Sequence, residues 1–391
     1  MIDIQTIIRS LEEVLEGQPR PVTLHAPVFA GQEWAYVKEC LDTGWVSSVG
    51  SFVDRFERDL ADFTEMKRAV VTVNGTAALH LCLLLAGVKP DEEVLLPDFT
   101  FIATANAVTY CNAVPHFVDV NESTLGVCPE RLRTHLRGIT ARKNGVTINR
   151  RSGRQIRALI VMHTFGHAVD LDGVLAVCRE FDLVLIEDAA ESIGSYYRGR
   201  HTGHWGLISA LSFNGNKTIT TGGGGAILTN DEELGHRAKF LSTQAKKPHP
   251  WEFIHEEIGY NYRLPNVNAA LGCAQLEQLP GFLIKKRTLA ERYRKAFSGV
   301  SGVQFFTEPP NCRSNYWLNA LLLNVPSLEL KDALLQATND RGIMTRPAWK
   351  LMHQLPMFAD LPRADCSVAE SLSLRLINLP SSSFLATEDA G

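Results

Sequence analysis

The chain has 391 residues, of which 45% are hydrophobic and 21% are charged, and its formal net charge is −4. This is the composition of an ordinary globular protein, and its length predicts two domains rather than one core. The slightly acidic balance gives no support for nucleic acid or an anionic membrane surface as a partner.

Residues 1–4 carry an acid and no basic segment before a long apolar stretch, so no signal peptide is expected. The longest apolar run, 81–88, is too short to cross a bilayer. The eight cysteines show no C-x-x-C pair and are expected to be reduced and packed, with neither a metal site nor disulfides. These features predict a cytoplasmic protein.

Residues 1–24 are predicted to form a short helical arm. Two helices follow, the first ending at Gly44, because Gly readily adopts the conformation that terminates a helix. Apolar residues at helical spacing predict a core-facing stripe on each, formed by Trp34, Val37 and Leu41 on the first and by Phe52, Phe56, Leu60 and Phe63 on the second.

Short apolar runs alternate with helical segments through the middle of the chain. This pattern predicts a mostly parallel seven-stranded sheet with helices on both faces. The predicted strands are 69–73, 94–96, 114–118, 158–163, 183–187, 209–213 and 226–229. Sheets of this kind bind ligands beyond the carboxyl ends of their strands.

The pattern changes near residue 240, and a smaller α+β domain is predicted to complete the chain. Its segments are a polar loop at 240–258, a long helix at 266–297, a strand at 316–323 and a helix at 328–341. The polar segment 137–157 is predicted to be a hairpin or a loop. The proposed division is an arm (1–24), a large domain (25–255) and a small C-terminal domain (256–391).

A possible phosphate loop lies at 74–76, where a β-branched run stops at Asn74 and an Ala/Leu-rich helix begins. Gly75 lets the backbone approach a ligand closely, Thr76 can cap the helix, and the free N–H groups of the first turn can bind phosphate. The alternative is an ordinary strand-to-helix turn, which the loop considered alone would favour.

Lys217 and Asp188 each follow an apolar strand. A lysine in a glycine-bounded turn suits Schiff-base chemistry, and pyridoxal phosphate (PLP) enzymes pair such a lysine with a carboxylate that keeps the pyridine nitrogen protonated. A surface lysine and a capping aspartate are common separately. When a lysine and an aspartate both follow strands, and a phosphate loop lies upstream, a PLP site is favoured.

These motifs, in this order, resemble those of the DegT-type nucleotide-sugar aminotransferases, which are fold-type I PLP-dependent transferases. The resemblance runs from about Pro27 to Ser382. It implies an α/β enzyme with a large PLP-binding domain and a smaller α+β domain. The segments that carry it are 74–79, 99–106, 186–191, 212–217, 222–225 and 259–264.

The resemblance also implies roles for individual residues around the cofactor. Lys217 holds PLP and moves the proton during transfer, and Asp188 pairs with the ring nitrogen. Phe101 stacks on the ring, although without the family it is more simply a core phenylalanine. The phosphate ligands are the backbone N–H groups of Gly75 and Thr76 and the hydroxyl of Ser212, which alone could equally be a buried serine bonded to backbone.

Two further positions concern the cofactor's surroundings. Glu191 stands where many relatives carry histidine or glutamine facing the phenolic oxygen of the cofactor. Asn261 matches an asparagine that reaches the PLP phosphate of the neighbouring subunit, which implies a homodimer with shared active sites; the alternative is a turn asparagine. The residues expected to contact the sugar nucleotide or the carboxylates of the amino donor are Arg263, Arg346, Trp349 and Lys350.

Segments 44–50 and 375–382 resemble the branch that aminates C4 of UDP-linked 4-keto-6-deoxy-N-acetylhexosamines, with L-glutamate as donor. Such products belong to legionaminic-acid-like or bacillosamine-like sugars of lipopolysaccharide and O-antigen. Amination at C3, or of a GDP- or dTDP-linked sugar, stays open. A non-catalytic PLP-binding regulatory protein is a further alternative, against which the intact pair of Lys217 and Asp188 argues.

Overall fold

The computed structural model describes residues 3–386, so the first two residues of the predicted arm and the last five of the predicted C-terminal domain lie outside it. The α-helices within 3–386 are α1 Ile4–Val14, α2 Glu33–Thr43, α3 Ser51–Thr64, α4 Gly75–Leu85, α5 Ile102–Tyr110, α6 Pro129–Ile139, α7 Leu171–Phe181, α8 Glu232–Ser242, α9 Asn266–Ala296, α10 Leu328–Asn339 and α11 Ser367–Ser373. The strands are β1 Arg68–Thr72, β2 Glu93–Pro97, β3 Val114–Val118, β4 Thr140–Lys143, β5 Val146–Asn149, β6 Ile156–Met162, β7 Val184–Asp188, β8 Tyr196–Tyr197, β9 Arg200–His201, β10 Ile208–Ser212, β11 Gly225–Thr229, β12 Lys246–Lys247, β13 Ile254–His255, β14 Val303–Phe305, β15 Cys312–Arg313, β16 Asn319–Leu323, β17 Arg346–Pro347 and β18 Leu376–Leu379.

The seven predicted strands form one seven-stranded sheet in the order β1-β11-β10-β7-β6-β2-β3. Strand β11 runs antiparallel to both of its neighbours, and the other four pairings are parallel. The prediction of a mostly parallel sheet is confirmed. Because four neighbouring pairs are parallel, the carboxyl ends of β7 and β10 meet at the same edge.

Helices cover both faces of this sheet, as its alternating side chains require. Ile186 and Ala210 pack on one face against residues of α4, α5 and α8. On the other face, Leu211 packs with α3 and α9, and Leu185 packs with α6 and α7. Since both faces are covered, the strands are buried and mostly apolar, and several polar residues lie at their ends.

A second, antiparallel sheet has the order β14-β16-β18-β17. Leu321 and Ile377 from this sheet share a core with Tyr293 of the long helix α9 and with Ile7 and Leu11 of α1. The predicted N-terminal helix and the long helix are therefore present, and the arm packs on C-terminal elements. The three-part domain division stays a prediction.

The two consecutive helices α2 and α3 differ in burial. Phe56 and Leu60 on α3 are buried in the core, as expected from their spacing. On α2, Trp34 is 81% exposed and Leu41 is 63% exposed, so the prediction of a core stripe there is wrong. Helical spacing of apolar residues indicates a face to be covered, but it does not say that the same chain covers it.

The remaining expectations concern smaller features. The segment 137–157 contains the hairpin of β4 and β5, as predicted, and the loop at 240–258 contains the short hairpin of β12 and β13. All eight cysteines are free thiols, and all but the partly buried Cys312 are buried. Within residues 3–386, no helix is long and apolar enough to span a bilayer, and no cluster of three or more His, Cys, Asp or Glu residues could hold a metal ion.

Candidate active site

A cavity of 260 Å³ lies at the carboxyl edge of the central sheet, between the ends of β7 and β10 and the start of α4. Larger clefts of 420 and 550 Å³ lie beside α2 and along α9, but the predicted cofactor residues converge on the smaller one. Its lining residues are Asn74, Gly75, Thr76, Leu79, Phe101, Ala103, Met162, Asp188, Ala190, Glu191, Ser212, Asn214, Asn216, Lys217, Trp317 and Trp349.

The start of α4 forms one wall of the cavity. The Oδ1 of Asn74 accepts a hydrogen bond from the N–H of Ala77 at 2.8 Å. Asn74 is therefore the capping residue, and the prediction that Thr76 caps this helix is wrong. The N–H groups of Gly75 and Thr76 belong to the first turn, where no helical carbonyl is available to them, and they give the positive helix end an anion-binding character.

Gly75 is required by close packing at this point. A Cβ at residue 75 would lie 2.9 Å from the Cβ of Ser212 and 3.3 Å from the carbonyl oxygen of Leu211. Ser212 ends β10, and its hydroxyl accepts the N–H of Asn214 at 3.4 Å. Ser212 thus lines the cavity beside the helix start, as the phosphate interpretation requires.

Asp188 ends β7 and is buried. Its Oδ2 accepts the hydroxyl of Thr104 at 2.7 Å, and its Oδ1 accepts the N–H of Ala190 at 3.2 Å. Burial raises the pKa of Asp188 despite these two bonds. A buried carboxyl group of this kind is stabilised as a carboxylate when a cationic group lies against it. Thr104 was not among the predicted site residues, although it lies within the motif 99–106.

Lys217 lies in a tight turn after β10, closed by its own N–H bonding to the carbonyl of Asn214 at 2.9 Å. Its Nζ is 3.2 Å from Oε1 of Glu191 and 3.8 Å from the centre of the Trp317 ring. Oε2 of Glu191 accepts the N–H of Phe165 at 2.9 Å. Burial raises the pKa of Glu191 to about 7, so this carboxyl group can exchange a proton near neutral pH.

Trp317 is a second residue that the sequence analysis missed. Its indole N–H donates to the carbonyl of Asn216 at 2.7 Å, and its backbone N–H donates to Oδ1 of Asn315 at 2.8 Å. The ring is thereby fixed beside Lys217. The sequence placed it only in a predicted strand, and no local motif distinguished it from a core tryptophan.

Aromatic side chains form another wall of the cavity. Phe101 is 48% exposed, so the alternative interpretation as a core phenylalanine is wrong. The Trp349 ring centre lies 6.3 Å from that of Phe101, 5.8 Å from Phe99 and 5.1 Å from Phe165. Among the four residues expected to contact substrate, Trp349 alone lines this cavity.

The other three substrate residues and Asn261 lie elsewhere in the chain. The guanidinium of Arg346 donates to Oδ1 of Asn339 at 2.9 Å, and Lys350 is exposed. Asn261 is also exposed, and its Oδ1 accepts two bonds from the guanidinium of Arg263 at 3.0 and 3.1 Å. A single chain therefore does not bring these residues to the cavity.

The residues that do converge fit PLP. The free N–H groups of α4 suit its phosphate, and the buried carboxyl group of Asp188 suits a protonated ring nitrogen. The amine of Lys217 suits the aldehyde. The half-exposed ring of Phe101 is available for stacking.

Comparisons with known proteins agree with this arrangement. The model of the DegT/DnrJ/EryC1/StrS aminotransferase family matches residues 28–391. The chain is 37% identical over 376 residues to EpsN of Bacillus subtilis (strain 168), whose name assigns it to the pyridoxal phosphate-dependent aminotransferases, with 95% of this chain and 94% of EpsN covered. It is 35% identical over 367 residues to the GDP-perosamine synthase of Escherichia coli O157:H7, with 94% of this chain and 95% of that protein covered.

Among solved structures, the chain is similar to PseC of Helicobacter pylori, an aminotransferase involved in the biosynthesis of pseudoaminic acid. The TM-score is 0.83 at 25% identity, with 92% of this chain and 93% of PseC covered. Fold and sequence therefore lead to the same group of proteins.

Proposed function

The chain belongs to the DegT/DnrJ/EryC1/StrS aminotransferase family, and we propose that it transfers an amino group from L-glutamate to C4 of a nucleotide-linked 4-keto-6-deoxy sugar. It is a PLP-dependent sugar aminotransferase with a fold-type I architecture. The observation that carries the assignment of chemistry is the convergence of Lys217, Asp188 and Glu191 on one cavity beside a helix start.

When bound, PLP would supply the carbonyl group that takes up the amino group of the donor and the protonated ring that acts as the electron sink. The buried carboxylate of Asp188 would hold the proton on the ring nitrogen. The N–H groups of Gly75 and Thr76 and the hydroxyl of Ser212 would bind the phosphate. The exposed ring of Phe101 would stack on the cofactor ring.

Lys217 carries the proton during transfer, since its amine is the basic group within reach of the cavity. Glu191 is the natural proton partner of this amine because its Oε1 is 3.2 Å from Nζ. Its protonated form can also donate a hydrogen bond, as the histidine or glutamine of other family members does. Burial, which raises the pKa of Glu191 to about 7, makes this form accessible near neutral pH.

The identity of the sugar nucleotide is a separate part of the proposal. Motifs 44–50 and 375–382 favour UDP-2-acetamido-2,6-dideoxy-4-keto-hexose, on a route to legionaminic-acid-like or bacillosamine-like sugars of a cell-surface glycan. The likeness to GDP-perosamine synthase favours a second candidate, a GDP-linked sugar aminated at C4. Both place the new amino group at C4.

The test is a panel of UDP-, GDP- and dTDP-linked keto sugars incubated with purified holoenzyme and L-glutamate. Mass spectrometry detects the exchange of oxygen for an amino group, and NMR locates the nitrogen. We expect a C4-amino product, absent with Lys217→Ala. A C3-amino product would contradict the regiochemistry, and a Lys217→Ala protein with full activity would contradict the assigned lysine.

We further propose a homodimer in which each active site is shared. Asn261 is exposed and does not line the cavity of its own chain. The nearby hairpin loop carries the exposed rings of Trp251 and Phe253, and α2 exposes Trp34 and Leu41. Large apolar side chains with this degree of exposure favour a covering partner.

Subunit complementation tests the shared site. Lys217→Ala and Asn261→Ala proteins are mixed after subunit exchange has been demonstrated with labelled chains. A heterodimer would contain one site with both changes and one site with neither, so an equal mixture should regain about a quarter of wild-type activity. Heterodimers that stay at the level of the parents would place Asn261 outside the partner's site.

A further inference from the structure

Asp98 is a buried acid that the proposed chemistry does not use. It directly follows β2, and it is fully shielded from solvent. Its Oδ1 accepts the backbone N–H of His353 at 2.9 Å, and its Oδ2 lies 2.6 Å from Nδ1 of the same residue. Its backbone carbonyl accepts the N–H of Met352 at 3.1 Å. Three contacts therefore join the end of β2 to one short turn, Met352–Gln354.

The two segments joined here are those that form the aromatic wall of the cavity. Phe101 lies three residues after Asp98, and Trp349 lies four residues before His353. The ring centre of Trp349 lies 5.8 Å from that of Phe99 and 6.3 Å from that of Phe101, so one segment packs its tryptophan against the phenylalanines of the other. Trp349 lies in neither a helix nor a strand. The contacts of its segment therefore determine where the ring lies.

We propose that Asp98 and His353 are positioning residues that hold Trp349 in the cavity wall and thereby determine how the sugar substrate binds. This proposal rests on the sugar aminotransferase function. A buried carboxylate is costly unless it is paired and hydrogen-bonded, and a pair at this distance tolerates little displacement. Loss of the imidazole would leave the carboxylate of Asp98 without its side-chain partner and release the turn.

Other charged and titratable groups surround the pair without replacing it. Oε1 of Glu370 on α11 is 3.7 Å from Nε2 of His353. Burial raises the pKa of Asp98, and the hydrogen bonds of His353 and then the Arg363 guanidinium lower it by less. The thiol of Cys366 lies near the same carboxylate. Glu370 faces the opposite ring nitrogen, so it cannot hold the turn against β2.

The chain offers a matched control at the other end of the same strand. Glu93 begins β2, is also buried, and pairs with Nδ1 of His116 at 2.8 Å. This pair does not line the cavity. His116→Leu therefore removes an equivalent buried imidazole–carboxylate contact without touching the aromatic wall.

The experiment separates the two half-reactions of the holoenzyme. The donor half-reaction is followed by the change in cofactor absorbance on adding L-glutamate, and the second by its return on adding keto sugar. For His353→Leu we expect the donor half-reaction to stay within about twofold of wild type, and the KM for sugar to rise about ten- to a hundredfold with a smaller change in kcat. In His353→Asn the amide can donate to Asp98, so the KM for sugar should return most of the way to the wild-type value.

A merely structural pair would give different results. If His353→Leu slows both half-reactions equally, or if His116→Leu raises the sugar KM as much, the positioning role is wrong. A wild-type enzyme that completes the donor half-reaction but accepts no keto sugar would instead contradict the proposed function.

If the enzyme accepts no keto sugar, tryptophan fluorescence can still test the positioning role. Acrylamide quenching of tryptophan fluorescence is compared for His353→Leu and wild type, each with and without Trp349→Phe. We expect His353→Leu to increase quenching only where Trp349 is present. Equal quenching in the two backgrounds would overturn the proposal.

Discussion

The cavity at the sheet edge and the outer face of α2 are both exceptions to the usual distribution of residues in a globular protein. In the cavity, the charged groups Asp188, Glu191 and Lys217 are withdrawn from water. On α2, the large apolar side chains of Trp34 and Leu41 are exposed to water. Each arrangement is costly in an isolated chain.

The two regions call for different kinds of partner. Buried charges favour a small ligand of complementary charge, and the cavity carries the donors that PLP needs. An exposed apolar helix face favours a large covering surface, which here we propose to be a second copy. Four predictions test this distinction, two on the cavity and two on the exposed face of α2.

The largest effect is expected in the cavity, for Asp188→Asn. Asparagine cannot hold a proton on the ring nitrogen by charge, so turnover should fall about a thousandfold, or about 4 kcal/mol in the barrier. Absorbance should show that PLP still binds. Thr104→Val removes the hydrogen bond that the Thr104 hydroxyl donates to Asp188 but keeps the charge of Asp188. We expect turnover to fall about tenfold. Wild-type turnover of Asp188→Asn would mean that another group serves the ring nitrogen.

The next effect compares a buried with an exposed stripe. Phe56→Ala on α3 should lower the free energy of unfolding by about 3–5 kcal/mol, because it leaves a cavity in a packed core. Leu41→Ala on α2 should change it by less than about 0.5 kcal/mol in the monomer. Urea unfolding at low protein concentration measures both. If both substitutions lower the free energy of unfolding equally, other segments of the monomer must cover α2.

Glu191 gives a smaller, pH-dependent effect in the cofactor-free protein. Burial raises the pKa of Glu191 to about 7, so the folded state holds a proton that the unfolded state has released. The free energy of unfolding therefore falls as pH rises from about 4.5 to about 7, by about 1–3 kcal/mol. Glu191→Gln should remove this part of the slope. Unfolding curves with the same pH dependence in both proteins would contradict the assignment.

The smallest effect is expected on the exposed face. Trp34→Ser or Leu41→Ser should weaken self-association about tenfold, or about 1.4 kcal/mol, because less apolar surface is buried in the dimer. Sedimentation velocity over a concentration series measures the shift. Met357→Ser, which changes another exposed apolar residue, is the control. If the control weakens association equally, or if α2 substitutions have no effect, the interface lies elsewhere.

Local sequence was sufficient for the elements of the sheet and for the positions of Asp188 and Lys217. Each strand contains a short apolar run, and Asp188 and Lys217 each follow such a run. The apolar runs therefore predicted both the strands and the positions of these two site residues. The cap of α4 was assigned to the wrong neighbour because Asn74 and Thr76 can both cap. Only the 2.8 Å bond from Ala77 to Asn74 distinguishes them.

The succession of strands and helices along the chain, the family, and the two residues proposed to hold the cofactor therefore follow from local sequence patterns. Which groups are buried together depends on the tertiary fold. Trp317 is fixed beside Lys217 by a bond to Asn216, 101 positions earlier, and the stripe of α2 stays exposed while that of α3 is covered. Burial depends on surfaces supplied by distant segments, whereas periodicity and turn signals act over a few residues, so local patterns specify elements but not what covers them.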